Sequence, residues 1–160
     1  MNYSEGISEL IDRRIGRINS ISLGVISKVN LATWSADVRL KMKIQDQTIE
    51  IVNVPIALQT FAAGAVHIAP AVNDVVVIGF SKHELKKQLR NRDIVTVNEL
   101  VLHNMNHAII LTGVHVESDA IPVVAPGEIL IGHKSGSFIK FKENGDLELT
   151  ASHIILTEKV

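Results

Sequence analysis

The sequence predicts a mainly β protein built in two unlike parts, with a short helix ahead of them. Three observations carry this reading. Apolar and charged residues alternate strictly through residues 37–44. Short apolar runs separated by turn residues recur through residues 23–113. Beyond Gly127, glycine and isoleucine return at constant spacing.

The first element, within residues 1–20, is a short helix. Ile7, Leu10, Ile11, Ile15 and Ile18 fall at helical spacing, and Ser4 is a suitable N-cap. Glu5 and Glu9 lie near its start and Arg13, Arg14 and Arg17 near its end, the order that the helix dipole favours. Such a helix packs on its own domain or on a neighbouring subunit.

From Ser22 the period changes from helical to alternating. Leu23, Val25 and Val29 mark a first strand. In the second, Val38, Leu40, Met42 and Ile44 alternate with Asp37, Arg39, Lys41 and Lys43, giving one apolar and one charged face. Thr33 to Ser35 turns between them. A third strand covers Thr48 to Val54 and stops at Pro55, which has no N–H to give a ladder. Ala57 to Pro70 is a looser, Ala-rich stretch. A turn at Asn73-Asp74 leads to the apolar strand Val75 to Ile78, and Lys82 to Asp93 reads as a loop or short helix. Leu100 to His103 and Ala108 to Gly113 are two further strands around a turn at Asn104 to Asn106. Short strands of this number suit a small closed or nearly closed barrel, and an OB-type barrel over residues 21–113 is the economical form.

Residues 114–126 contain Pro122 and Pro126 and read as an extended linker. In residues 127–160 the pattern is repetitive. Gly127, Gly136 and Gly145 recur every nine residues, and Ile131, Ile139, Leu147 and Ile155 every eight. Phe141 and Leu149 follow Ile139 and Leu147 by two, while Lys140, Lys142, Asp146 and Glu148 face the other way. Three or four short strands follow, with tight turns at His133 to Gly136 and Glu143 to Gly145. Strands this short cannot bury a core alone. The apolar set Ile131, Ile139, Phe141, Leu147, Leu149 and Ile155 is therefore either folded back on the barrel or buried against two identical chains. The constant period favours the second, a short intertwined trimeric β-helix.

Composition excludes several function classes. Lys and Arg number 16 against 17 Asp and Glu, so no global field draws nucleic acid or an anionic membrane. The chain has no cysteine, which removes disulfides and thiolate metal sites. The charged N-terminus is not a signal peptide, and no apolar run is long enough to span a bilayer as a helix.

No residue cluster demands catalysis. His103 and His107 are four apart, but a strand turn lies between them and no Glu base accompanies them. His67, His115 and His133 stand alone. Lys82, His83, Lys86, Lys87, Arg90 and Arg92 form one basic cluster, yet aromatics are only 4% of the chain, too few for a base-stacking surface. Glu143 with Asp146, and Glu117 with Asp119, sit beside turn residues rather than in a cleft. Gly132 to Ser137 lacks the Gly-Lys-Ser/Thr ending of a phosphate loop. The chain reads as a non-enzyme.

The order of these features resembles the central spike proteins of contractile-tailed phages, the baseplate assembly protein V group. The nearest likeness is to its short membrane-piercing spikes with an N-terminal OB domain. The residues that carry it are Gly24-Val25-Ile26, Ala36 to Leu40, Val52 to Ile56, Pro70 to Val77 with Phe80, His107 to Gly113, and the glycine-punctuated end. Together they cover most of Gly24 to Thr157.

The resemblance implies a homotrimer on the tail axis, with OB domains as a collar against tail tube and hub proteins. The C-terminal strands would form a rigid spike that sheath contraction drives through the host's outer membrane. It further implies a virion protein of the tail baseplate, assembled in the host cytoplasm, with no nucleic acid partner. Members often end in a His-x-His pair that holds iron by three-fold repetition. Here Ile155 stands two positions after His153, so no cofactor is expected. His153 is the remaining candidate that symmetry would gather. A separate tip protein on the blunt end near Thr157 to Val160 would complete the spike. The competing reading is an OB-type binding module for single-stranded nucleic acid or protein.

Overall fold

The computed structural model describes residues 20–44, 46–61, 64–90, 92–96, 104–119 and 123–156. The helix expected before Ser20, the strand expected at Leu100 to His103 and the residues from Thr157 onward lie outside them. The chain divides into two compact units, Met1–Glu117 and Ser118–Val160. Both are built from antiparallel sheets.

The first unit holds a five-stranded sheet of β1 (Ile21–Asn30), β2 (Ser35–Ile44), β3 (Gln47–Pro55), β6 (Val75–Phe80) and β7 (Ala108–Gly113). Their order is β3-β2-β1-β6-β7. Three strands joined by consecutive hairpins, with the next returning beside the first, make a Greek key. The remaining pieces are a small hairpin of β4 (Gln59–Phe61) and β5 (Gly64–Val66) and one turn of helix, α1 (Leu85–Gln88). The ladder does not close on itself among the described residues. Its edges approach through a single parallel bridge between Ile56 and Ile110, where the Ala57 N–H donates to the Ile110 carbonyl at 2.8 Å.

Alternation decides which residues form the core. Ile26 of β1, Ala36, Val38 and Leu40 of β2, Ile51 and Val54 of β3, Val76 and Ile78 of β6, and Ala108 and Ile110 of β7 are buried together. Gly24 sits among them because nothing larger fits: a Cβ there would stand 2.7 Å from Ile78 Cδ1 and closer still to Val38 Cγ1. The β2–β3 pairing slips between Ala36 and Val38. Opposite that slip Asn53 adopts a positive φ of 55°, and its N–H is held by Asp37 Oδ1 at 2.7 Å. The bulge turns both Ile51 and Val54 inward although they are three positions apart.

The apolar face expected of β2 is only partly used. Val38 and Leu40 are buried, but Met42 is 47% exposed. The long β2–β3 hairpin runs past the point where β1 still pairs with it, since the β1–β2 register ends at the Gly24–Leu40 pair. The stretch from Ala57 to Pro70 is more ordered than its sequence suggests, because β4 and β5 are too short to carry a period.

The second unit is a three-stranded sheet in the order β10-β9-β8, formed by β8 (Ile129–Gly132), β9 (Phe138–Phe141) and β10 (Leu147–Thr150). The turns fall where glycine allows them. Gly136 and Gly145 take φ of 88° and 87°, which L side chains rarely adopt. Residues 151–156, where the repeat predicted a further strand around Ile155, form no strand.

Candidate functional site

The register of the second sheet gathers its apolar residues into two rows. Ile129 pairs with Phe141 and Phe141 with Leu147; Ile131 pairs with Ile139 and Ile139 with Leu149. Paired Cβ atoms lie about 4.5–5.5 Å apart on one face. Five of the six residues expected to form a trimer core, Ile131, Ile139, Phe141, Leu147 and Leu149, are thus brought together. The sixth, Ile155, lies beyond β10 and is 81% exposed. Ile129 completes the first row. Its signal was in the sequence, because it precedes Ile131 by two just as Ile139 precedes Phe141.

All six residues of these rows are exposed within the unit, from 39% at Ile139 to 62% at Ile129. Covering the exposed half of six such side chains is worth on the order of 5 kcal/mol per chain. Together they make a contiguous apolar patch open to solvent within the unit.

The opposite face is mixed: half-buried Leu130 and Phe138 lie on it beside a set of paired charges. Lys140 lies between Leu130 and Glu148, and its Nζ is 3.5 Å from Glu128 and 5.9 Å from the centre of the Phe138 ring. Lys142 Nζ reaches Glu148 at 2.9 Å. The hydrogen bond that Lys142 donates to Glu148 raises the Lys142 pKa, and the same bond lowers that of Glu148. Water and salt screen an exposed pair such as Lys142–Glu148, so it contributes little to stability.

The other candidates have local roles. Among the described residues, no three His, Asp or Glu side chains converge as a metal group. His107 is buried where β7 begins; its N–H donates to the Asn104 carbonyl at 2.9 Å and its carbonyl accepts from Ser81 N at 2.8 Å. Its expected companion His103 lies outside the described residues. His67 meets the Trp34 ring edge-on, with centroids 5.2 Å apart. His133 Nδ1 is bonded to Ser135 Oγ within the β8–β9 turn, and His153 Nδ1 donates to the Ser152 carbonyl. Asp146 belongs to the β9–β10 turn, where it accepts from Asn144 Nδ2 at 2.7 Å. Glu143, Glu128, Lys142 and Asn144 line a depression open to solvent.

The basic residues Lys82, Lys86, Lys87, Arg90 and Arg92 are exposed on and around α1, and Lys87 Nζ donates to the Thr96 carbonyl. The described aromatics lie on other elements: Trp34 in the β1–β2 turn, Phe61 in β4, Phe80 against the core, and Phe138 and Phe141 in β9. No helix among the described residues is long and apolar enough to cross a membrane. Compared with known proteins, the chain matches no family model and no curated protein.

Proposed function

We propose that the protein is the trimeric central spike of a contractile phage tail baseplate, a non-enzymatic structural protein that pierces the host envelope. The carrying observation is the two-row apolar face of β8, β9 and β10, left open by its own unit. Three copies placing these faces around one axis would remove the rows from water and leave the Lys–Glu pairs outside. In this reading these short strands, packed around the axis, would make the β-helical spike.

The Greek-key order and the parallel bridge between Ile56 and Ile110 support reading the first unit as a partly open OB-type barrel. In the spike reading these barrels form the collar under tube and hub proteins, and the end beyond Leu156 meets the tip and then the outer membrane. The role is mechanical and calls for kinetic stability rather than a reacting group. The protein would act as part of the virion.

The native mass tests this. The monomer is 17.5 kDa. Light scattering on a size-exclusion column is expected to give three times that mass, stable to dilution. A stable monomer would overturn the proposal and favour an OB-type binding module, to be tried against single-stranded nucleic acid.

A further inference from the structure

Asparagine is followed by glycine once in the sequence, at Asn144-Gly145. Such a pair is chemically labile. An asparagine amide is lost through attack by the next backbone nitrogen, and glycine has no side chain to shield that nitrogen. In the β9–β10 turn both residues are exposed, and nothing lies within 4 Å of where a Gly145 Cβ would be. Water and base therefore reach the pair. The bonding of the turn works the other way. Gly145 N–H donates to the Lys142 carbonyl at 3.0 Å. Asn144 Oδ1 accepts from Asp146 N at 3.1 Å, and Asn144 Nδ2 donates to Asp146 Oδ2 at 2.7 Å. The attacking nitrogen and both ends of the target amide are all engaged.

We propose that Asn144 is a deamidation site held closed by its own turn, and that it converts when the β9–β10 hairpin opens. The Gly145 nitrogen attacks Asn144 Cγ. A new N–Cγ bond closes a succinimide ring, the Cγ–Nδ2 bond breaks, and Nδ2 leaves as ammonia with the proton that Gly145 N gave up. Water then opens the ring. Cleavage at Cγ leaves aspartate, and cleavage at the main-chain carbonyl leaves isoaspartate. In the closed turn this route is blocked twice. The Gly145 proton faces a carbonyl instead of solvent base, and turning Cγ toward Gly145 N breaks both bonds to Asp146.

Either product disturbs the hairpin. Aspartate at this position sets a second carboxylate against Asp146 Oδ2, where an N–H donor stood. Isoaspartate adds a main-chain carbon to the turn and moves Gly145 from the place where its φ of 87° closes the hairpin. Leu147 and Leu149 then lose their fixed register with Phe141 and Ile139. The β8–β9 turn carries no such liability. Gly136 N donates to the His133 carbonyl at 2.9 Å in the same manner, but the residue before Gly136 is Ser135. This closure belongs to one hairpin of one chain and is independent of the trimer reading.

To test this, full-length protein is held in mildly alkaline buffer with and without denaturing urea, and peptide mapping by mass spectrometry follows conversion at Asn144. Reaction from a transiently open state tracks the population of that state, so the folded protein is expected to convert on the order of tenfold more slowly than the unfolded chain. Asp146→Ala removes the acceptor of the Asn144 amide and is expected to raise the folded rate about fivefold, the equivalent of one hydrogen bond, with little change in urea. Asn144→Ser, which copies the β8–β9 turn, should show no conversion at this position. Equal rates with and without urea, in protein that circular dichroism shows to be folded, would overturn the proposal. So would a folded rate that Asp146→Ala leaves unchanged. Protection lost in Ile139→Asp but kept in Asp146→Ala would assign it to packing between chains, and would overturn the proposal as well.

Discussion

Gly24 and Val38 lie diagonally across β1 and β2, so close that the space for a side chain on Gly24 is already filled by Val38 Cγ1. Ile78 closes the same space from β6. Gly24→Ala is therefore an overpacking change in the core and is expected to cost about 1–3 kcal/mol. Urea denaturation reads the loss. Gly24→Ala with Val38→Ala should recover part of it.

At Gly145 the cost has another origin. No atom lies within 4 Å of its would-be Cβ, but its φ is 87°. Gly145→Ala is expected to destabilise the β9–β10 hairpin by about 1–2 kcal/mol through backbone strain alone. Gly145→Asn, which tolerates positive φ better, should cost less in the same denaturation measurement.

Ile139 sits at the middle of its row, between Ile131 and Leu149. In the proposed trimer, Ile139→Asp would bring three carboxylates into an apolar interior and should abolish assembly. Ile139→Val should keep it. Light scattering on both variants checks this; trimers of unchanged stability from Ile139→Asp would count against the spike reading.

The bulge in β3 depends on one acceptor. Asp37→Ala removes the oxygen that holds the Asn53 N–H and is expected to cost about 1 kcal/mol. Asp37→Asn keeps an acceptor at that position and should cost less. Thermal melting of the two variants separates them.

The Lys142–Glu148 pair gives a pH signature. Lys142 is raised, so its share of the attraction is complete below the ordinary lysine pKa and is lost as pH rises through the raised value. Glu148 is lowered, so its share is complete above the ordinary carboxylate pKa and is lost as pH falls through the lowered value. The pair is intact across neutral pH. In Glu148→Gln the Lys142 pKa is expected to fall, measured by NMR titration. The shift should shrink with added salt because both groups are exposed.

Much of the first sheet was legible where one face is buried and the other wet. Val38 and Leu40 were placed by alternation alone, and Pro55 ended β3 as its missing N–H requires. Met42 was not, because alternation says which face a residue takes but not how far the neighbouring strand extends. The β4–β5 hairpin was missed because strands of three residues leave no period to read. In the second unit the spacing of Gly136 and Gly145 located both turns, and the apolar rows followed. Ile155 kept the eight-residue spacing yet lies outside any strand, since spacing alone does not provide a pairing partner. The inward turn of both Ile51 and Val54 depends on a bulge, which no apolar period announces.

The second sheet has an odd number of strands. β8 and β10 both run opposite to β9, so its two rims, β8 and β10, point the same way. Rotating copies about an axis along the strands brings the β10 rim of one against the β8 rim of the next, and the two meet in parallel. A two-fold axis through the sheet instead sets β8 against β8, or β10 against β10, in antiparallel register. Strand direction at the seam thus separates a closed ring from a simple pair, whatever the side chains between them.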